Sequence, residues 1–463
     1  MLYEWADHQI FGAKEGAILY GVDQGSLFFI DNQTREALYR WSASALLDTH
    51  EVPAAERDIL QGLRDIRILV PAGEVRKCSP LVVDPGKIPL VTMVLEVAQA
   101  CNLRCRYCYA EGGSYGKEVR LLEPAIARQA VRLLVDGSRD QEQVTLILFG
   151  GEPLLNMEAV EAAVEEVETR TAGLGKRVFV SLTTNGTLLT PEIVAFIRHH
   201  RIAVSVSMDG PADLHDANRA GPGGEGSYAK IVSQLSTLLD AGTSPVAARV
   251  TLVPEQWSRI EEVFDHLLGL GFHEVGISPA SPIRLEFLPE PDHEEQLFRG
   301  FSALARRFVQ LAAQGRVLPF SNLIDLLARL HVGQTKSVSC GAGLGYLAVD
   351  AGGSFYVCHR LTGDDAFCVG TLNSGPDTGK IRSALELLTA GKDALCEHCW
   401  ARTLCSGGCH YENHVRENSL GLPPGSSCSF ILRWLQLGIE TYAELRRSGA
   451  DALLQMLEKR AKC

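Results

Sequence analysis

The chain has 463 residues, 46% of them hydrophobic, which suits about two or three domains with ordinary cores. Its 44 Lys and Arg against 56 Asp and Glu leave a net charge of −12 with no basic block, which argues against a nucleic-acid or anionic-membrane partner. No apolar run reaches the roughly 20 residues of a membrane span. The start, Met1-Leu-Tyr-Glu-Trp-Ala-Asp7, lacks the basic and apolar regions of a secretory signal, so the expected location is the cytoplasm. Thirteen cysteines in such a compartment point to metal rather than disulfides.

Residues 1–75 read as a separate unit. Residues 16–31 suggest two strands meeting at Asp23-Gln-Gly25, and Asn32 is placed to cap a helix over 34–47. A second helix over 54–63 precedes a short strand at 66–70. The absence of a basic face disfavours DNA binding. From residue 90 strands and helices alternate. Strands are expected at 90–96, 144–149, 178–184, 203–207, 247–253 and 274–278, with helices such as 124–135 and 157–169 between them, a parallel α/β arrangement. In such a sheet active groups gather at the carboxyl ends of strands.

The motifs fall at those ends. Cys101-Asn-Leu-Arg-Cys105-Arg-Tyr107-Cys108-Tyr109 is C-x3-C-x2-C. Three thiolates this close cannot complete a tetrahedral zinc site alone, but they can hold three irons of a [4Fe–4S] cube and leave the fourth iron open to an outside ligand. The spacing alone also fits a zinc site completed elsewhere, or unrelated cysteines on a turn. Phe149-Gly150-Gly151-Glu152-Pro153 follows the apolar run 144–148. Its glycines allow close backbone approach and Glu152 suits a cationic amine, although the same five residues also make an ordinary strand-to-helix turn. Thr183-Thr184-Asn185-Gly186-Thr187 ends one strand, Ser205-Val-Ser207-Met-Asp209-Gly210 ends the next, and Arg219 follows. Residues 286–335 read as a helical bridge. Beyond it lie Cys340, Cys358, the quartet Cys396, Cys399, Cys405 and Cys409 (C-x2-C-x5-C-x3-C), and Cys428. Residues 431–445 form an amphipathic terminal helix. There is no internal repeat.

The first cysteine motif, with an aromatic before its third Cys, and the GGEP run resemble the radical S-adenosylmethionine (SAM) superfamily. The seven later cysteines, with Gly353 five positions before Cys358, resemble its SPASM extension. The resemblance implies an α/β fold built on a partial (β/α)6 TIM-like barrel over 76–285. It implies a winged-helix-like peptide (leader) recognition element over 1–75 and a helical bridge over 286–335. A SPASM domain with two auxiliary iron–sulfur clusters would cover 336–432 and a C-terminal helix 433–463. Implied cofactors are SAM and three [4Fe–4S] clusters. Cys101, Cys105 and Cys108 would hold the open cluster, and Tyr107, Gly150, Gly151, Glu152, Asn185, Ser207 and Arg219 would contact SAM. One auxiliary cluster would rest on Cys396, Cys399, Cys405 and Cys428. The other would rest on Cys340, Cys358 and Cys409, its fourth position open or filled by Cys368; relatives with an extra Cys carry it near Tyr346. Cys78 and Cys463 match nothing.

Within the cysteine-rich region, Val357-Cys358-His359-Arg360 and Cys399-Trp400-Ala-Arg402…Cys405-Ser-Gly-Gly-Cys409-His410 resemble maturases that install Cys-to-carbon thioethers. Two groups are similar: the maturases of six-cysteine (SCIFF) peptides and, more closely, those of the quinohemoprotein amine dehydrogenase small subunit, whose acceptors are Asp or Glu methylenes. The implied partner is a ribosomal peptide or small subunit, with a flavodoxin or ferredoxin-type electron donor. Sulfatase-maturing relatives carry Asp after the second auxiliary cysteine, where this chain has His359. His359 and Asp350 are the candidate bases. Carbon–carbon cyclophane or formylglycine formation are the alternative chemistries, and a zinc-bound scaffold the non-enzymatic one.

Overall fold

The structure is a computed structural model that describes residues 1–13, 15–74, 84–138, 140–240, 245–281, 283–391 and 395–461. Cys78 and Cys463 lie outside the described residues.

The N-terminal part contains β1 (Leu2–Trp5), β2 (His8–Gly12), β3 (Ala17–Gly21), β4 (Ser26–Ile30), α1 (Asn32–Trp41), β5 (Leu46–Asp48), α2 (Arg57–Asp65) and β6 (Leu69–Pro71). β2, β3 and β4 form one antiparallel sheet, and β1 lies between β5 and β6 in another. The helix cap is Asp31 rather than Asn32: its carboxylate accepts the Thr34 N–H at 2.7 Å. The helix also stops at Trp41, short of the expected 47, because residues 46–48 pair with β1 instead.

β3 is buried along its whole length, as a continuous apolar strand covered on both faces should be. Leu19 faces a core with Leu38, Trp41, Leu60 and Leu63, while Ile18 and Tyr20 join the main core of the protein. Tyr20 OH lies 3.1 Å from Thr403 Oγ1, the Phe11 ring meets Trp400 edge-on at 5.0 Å, and Arg402 pairs with Asp7 and Asp23 at 2.6 Å. Phe11→Ala should therefore destabilise the whole chain by about 3–5 kcal/mol, read as a lower urea midpoint.

The central sheet is built from β7 (Thr92–Gln99), with the short β8 (Arg120–Leu121) on its end, then α3 (Pro124–Gly137), β9 (Gln143–Gly150), α4 (Met157–Thr171), β10 (Arg177–Thr184), α5 (Pro191–His199), β11 (Ala203–Ser207), α6 (Ala212–Asn218), α7 (Tyr228–Asp240), β12 (Ala247–Leu252), α8 (Ile260–Gly269) and β13 (Glu274–Pro279). The strands run parallel in the order β7-β9-β10-β11-β12-β13, which orients their carboxyl ends the same way. Helices α9 (Pro291–Ala312) and α10 (Ser321–His331) follow.

The cysteine-rich region carries strands of its own. β14 (Tyr346–Val349) runs parallel to β7 on the side away from β9, with Tyr346 opposite Thr92 and Val349 opposite Leu95. β15 (Ser354–Tyr356), β16 (Cys368–Thr371) and β17 (Gly375–Pro376) extend the sheet antiparallel, followed by α11 (Thr378–Thr389). β7 is thus paired on both edges, and the loop after it emerges between the barrel and the later cysteines.

The boundary expected at 432/433 falls inside one continuous helix, Gly425–Ser448, which carries Cys428 in its first turn. Trp434 packs edge-on against Phe301 at 5.0 Å, and a side chain at Gly438 would meet Leu326 at 2.2 Å, so the helix lies hard against α9 and α10. A further helix, Asp451–Ala461, ends the described chain. No helix among the described residues is long and apolar enough to cross a membrane.

Candidate active site

The three early cysteines occupy the loop leaving β7. That loop is strapped to the chain after α6 by Arg104 N–H to Ala220 O at 2.7 Å and Arg106 N–H to Asn218 O at 3.0 Å. The Leu103 N–H points at Cys101 Sγ and the Gly112 N–H at Cys108 Sγ, each at 3.4 Å. Asn185 Nδ2 lies 3.8 Å from Cys101 Sγ, and Arg219 Nη1 4.0 Å from Cys105 Sγ. Burial pushes Cys101 up to about 11, the Leu103 N–H opposing it and Glu152, Cys105 and Cys108 adding to it. Each thiolate disfavours its neighbours, and a set of iron ions is the charge that would relieve them. Among the described residues no three such donors converge on a single metal ion, and it is the chemistry of three thiols on one short loop that suits a multi-iron cluster.

The glycines of the GGEP run are required by packing. Gly150 has φ +137°, and a side chain there would sit 2.3 Å from Ala98 O; one at Gly151 would sit 2.3 Å from Ala100 O. The end of β9 therefore lies flush against the chain entering Cys101. Glu152 is fully buried and accepts from Leu154 N–H at 3.1 Å, Thr184 Oγ1 at 2.7 Å and Asn185 N–H at 2.6 Å. Burial pushes it up to about 7 against those donors. The carboxylate joins the ends of β9 and β10 and orients Asn185, whose amide also reaches Asn102 Oδ1 at 2.8 Å. With three donors in place, roughly one acceptor direction of about four is left for a ligand amine.

Asp209, at the end of the β11 motif, has no role assigned from sequence. It is fully buried, and its Oδ2 accepts from Tyr107 OH and from Arg219 Nε at 3.0 Å, while Oδ1 accepts from Thr251 N–H at 2.9 Å. The Arg219 guanidinium lies over the Tyr107 ring, 5.3 Å from its centroid. An acid two residues past the end of β11 and ten before Arg219 was the available signal. Ser207 sits half-buried at the end of β11, opposite Arg249.

The later cysteines gather in two groups. Cys340 and Cys409 lie close enough to Cys358 to add to the burial that pushes its thiol up to about 12, opposed by the Arg360 N–H. Cys399 and Cys405 act the same way on Cys428, after burial. Cys396 accepts the Cys399 N–H through its carbonyl at 3.0 Å. Ser406, Gly407 and Gly408 are all left-handed (φ 55°, 92° and 73°), a conformation that aims the N–H groups of both glycines at Cys405. The Cys368 thiol points to Gly370 O at 3.6 Å, and the residue pairs with Tyr356 across β15 and β16. Tyr346 instead stands beside Cys358 and Cys340, its hydroxyl 2.6 Å from His359 Nδ1.

Burial and the Arg360 charge push His359 down to about 4, so its imidazole is neutral at pH 7; it lies edge-on to Phe149 at 5.1 Å. Asp350 has a different place. Its Oδ1 accepts from Gly352 and Ser354 N–H at 2.9 and 2.8 Å and closes the β14–β15 turn.

Between the two cysteine regions is a cavity of about 520 Å³ lined by Tyr109, Tyr115, Lys117, Arg360, Thr362 and Tyr411 among others. Glu96 of β7 is fully buried and accepts from Thr362 Oγ1 at 2.8 Å. Burial pushes its carboxyl up to about 8, with Thr362 and Tyr115 opposing and Asp350 adding. A raised carboxyl pKa favours folding fully below the unfolded value near 4.5, and that contribution is lost as pH rises through about 8. Wild-type stability should fall across that window by up to about 1.4 kcal/mol per pH unit from this group, and Glu96→Gln should flatten the fall in urea titrations at pH 5 and 8.

Comparison with known proteins places this geometry. The sequence model of the Radical SAM superfamily matches residues 95–267, from within β7 to the end of α8. The chain has the radical SAM α/β fold. Over 343 residues it is 22% identical to a serine-type anaerobic sulfatase-maturating enzyme of Klebsiella aerogenes, covering 71% of this chain and 82% of that protein. A namesake from Bacteroides thetaiotaomicron is 32% identical over 162 residues, 34% of this chain and 38% of that one. Among solved structures, anSMEcpe with bound AdoMet superposes with a TM-score of 0.64 at 17% identity, covering 80% of this chain and 99% of that one. Streptococcus suis SuiB bound to precursor peptide SuiA gives 0.52 at 15%, covering 92% and 100%. The radical SAM α/β fold, SAM and [4Fe–4S] clusters go together in these proteins, and the cysteine groups described above suit them.

Proposed function

We propose that the protein is a radical SAM peptide maturase that joins a cysteine sulfur to a side-chain carbon, an Asp or Glu methylene, in a ribosomally made peptide or small subunit. The observation that carries the thioether reading is His359: a neutral imidazole bound to Tyr346 follows Cys358, facing Phe149 at the end of β9, where sulfatase-maturing relatives have a carboxylate. A peptide as substrate is supported by the named relatives, a sulfatase-maturating enzyme and a structure holding a precursor peptide.

In this reading Cys101, Cys105 and Cys108 hold the SAM-binding cluster. Cys396, Cys399, Cys405 and Cys428 hold one auxiliary cluster. Cys340, Cys358 and Cys409 hold the other, its fourth position taken by Cys368 or a substrate thiolate. Bound SAM and the reduced cluster supply hydrogen-atom abstraction from carbon, and the auxiliary clusters supply a one-electron acceptor. The chain's own residues do the rest. Arg219, held by Asp209, receives the methionine carboxylate; Glu152 receives its amine; Tyr107, Asn185 and Ser207 bound the nucleoside; Gly150 and Gly151 admit the backbone. His359 is the candidate acceptor for the thiol proton, its imidazole being neutral at pH 7. Residues 1–75 take the leader, and a flavodoxin or ferredoxin-type protein delivers electrons.

The test is mass spectrometry of a Cys-containing peptide encoded beside the gene, after incubation with reconstituted protein, SAM and dithionite. The expected product is lighter by a pair of hydrogens per bond and has lost an alkylatable thiol. Formylglycine formation is favoured by the relatives' names. A product whose remaining thiols all alkylate and which forms a hydrazone would establish that reading instead.

A further inference from the structure

We propose that Arg360 and Glu412 set the reduction potential of the cluster on Cys340, Cys358 and Cys409, with opposite signs; the proposal rests on the assignment of that cluster above. Arg360 touches the site at two points. Its backbone N–H points to Cys358 Sγ at 3.4 Å, and its Nη1 lies 3.4 Å from Cys409 Sγ. The same Nη1 is 3.3 Å from Glu412 Oε1, and Ser281 completes the triangle, accepting from Arg360 Nη2 at 2.6 Å and donating to Glu412 Oε1 at 2.5 Å. The guanidinium lies against two rings that also meet each other at 5.8 Å, 4.7 Å from the centroid of Tyr109 and 4.4 Å from that of Tyr411.

These ring contacts and hydrogen bonds explain why the charge is located rather than mobile. Arg360 and Glu412 side chains are 18% and 22% exposed, so neither is well screened by solvent. Tyr109 follows Cys108 directly, and Tyr411 feels the charges of both Cys409 and Cys108. The two tyrosines and Arg360 are thus the material between the SAM-binding cysteines and the first auxiliary group. A one-electron reduction adds a negative charge to a cluster. A fixed cation against its sulfurs, donating a hydrogen bond to one of them, favours the reduced state and raises the potential. The Glu412 carboxylate opposes it. The net effect is an acceptor whose affinity for the electron released by substrate is set by one ion pair.

The experiment is an EPR-monitored redox titration of the full-length, anaerobically reconstituted protein, with iron and sulfide counted for every sample. Arg360→Gln should lower the reduced-to-oxidised ratio of this cluster at a fixed potential about tenfold, a shift of ~59 mV for a one-electron couple. Arg360→Lys should recover most of it. Glu412→Gln should move the ratio the other way. A purely structural role for Arg360 predicts lost iron and no upward shift in Glu412→Gln. If Arg360→Gln loses this cluster, Glu412→Gln decides the matter: a raised potential supports the proposal, and an unchanged or lowered one overturns it. Unchanged potentials in both variants with full iron overturn it as well. A wild-type protein holding only about four irons overturns the cluster assignment itself, and the proposal with it.

Discussion

Replacing Cys101, Cys105 and Cys108 together by Ala should reduce SAM cleavage to background while the protein stays folded, with about four of about twelve irons lost. The fold should survive because the loop does not depend on the thiols for its path. Its backbone is held by the Arg104–Ala220 and Arg106–Asn218 hydrogen bonds, and the three side chains are only part-buried. Chemistry should not survive, because no other cysteine lies in the loop leaving β7, beside Asn185, Arg219 and Glu152. The matching control replaces Cys396, Cys399, Cys405 and Cys428, whose group belongs to the far side of the cysteine-rich region, against the N-terminal sheet. That variant should lose a similar amount of iron yet still release 5′-deoxyadenosine under dithionite. Anaerobic iron and sulfide analysis with chromatography of the nucleoside product measures both. Retained SAM cleavage in the first variant would remove the proposed centre from this loop.

The barrel strands were legible because they carry short apolar runs separated by helical stretches, and 144–149 and 178–184 each fall within a residue of β9 and β10. The sheet extension was not. Tyr346–Val349 is four residues between glycines, and its partner β7 lies far upstream, so no local pattern announces the pairing. The same distance hid the seam between the N-terminal sheet and Trp400, where β2 and β3 look like any other strands until Phe11 of β2 and Tyr20 of β3 are seen against the cysteine loop. The cap at Asp31 instead of Asn32 was a competition between two good capping residues, decided by which side chain reaches Thr34. In the site, cysteine spacing places the ligands in the chain, but it carries no information about what surrounds them. Asp209 and Arg360 act through partners brought together by the tertiary fold.

Asp209→Asn should destabilise the protein by about 3–5 kcal/mol, because it removes the counter-charge of a buried guanidinium. Asp209 is fully buried and Arg219 is 7% exposed, so water cannot replace the lost partner. Asn has a single carbonyl oxygen: where that oxygen accepts the Thr251 N–H, its NH2 group faces the Tyr107 and Arg219 donors, and where it turns over, Thr251 loses its acceptor. Arg219 would then turn toward Cys105 or out of the site, and Tyr107, which packs on Val253, Ala280 and Phe287, would lose the acceptor that fixes its hydroxyl. SAM affinity should fall with stability, measured by equilibrium dialysis and by the urea midpoint. The two effects separate in Asp209→Asn/Arg219→Met. Replacing both members of a buried pair with uncharged groups restores much of the stability, so the double variant should unfold later than the single. It should still bind SAM poorly, since the carboxylate has lost its guanidinium. A double variant that recovers stability and SAM affinity together would mean that Arg219 serves the fold alone, and the methionine carboxylate would have to be held by another cation.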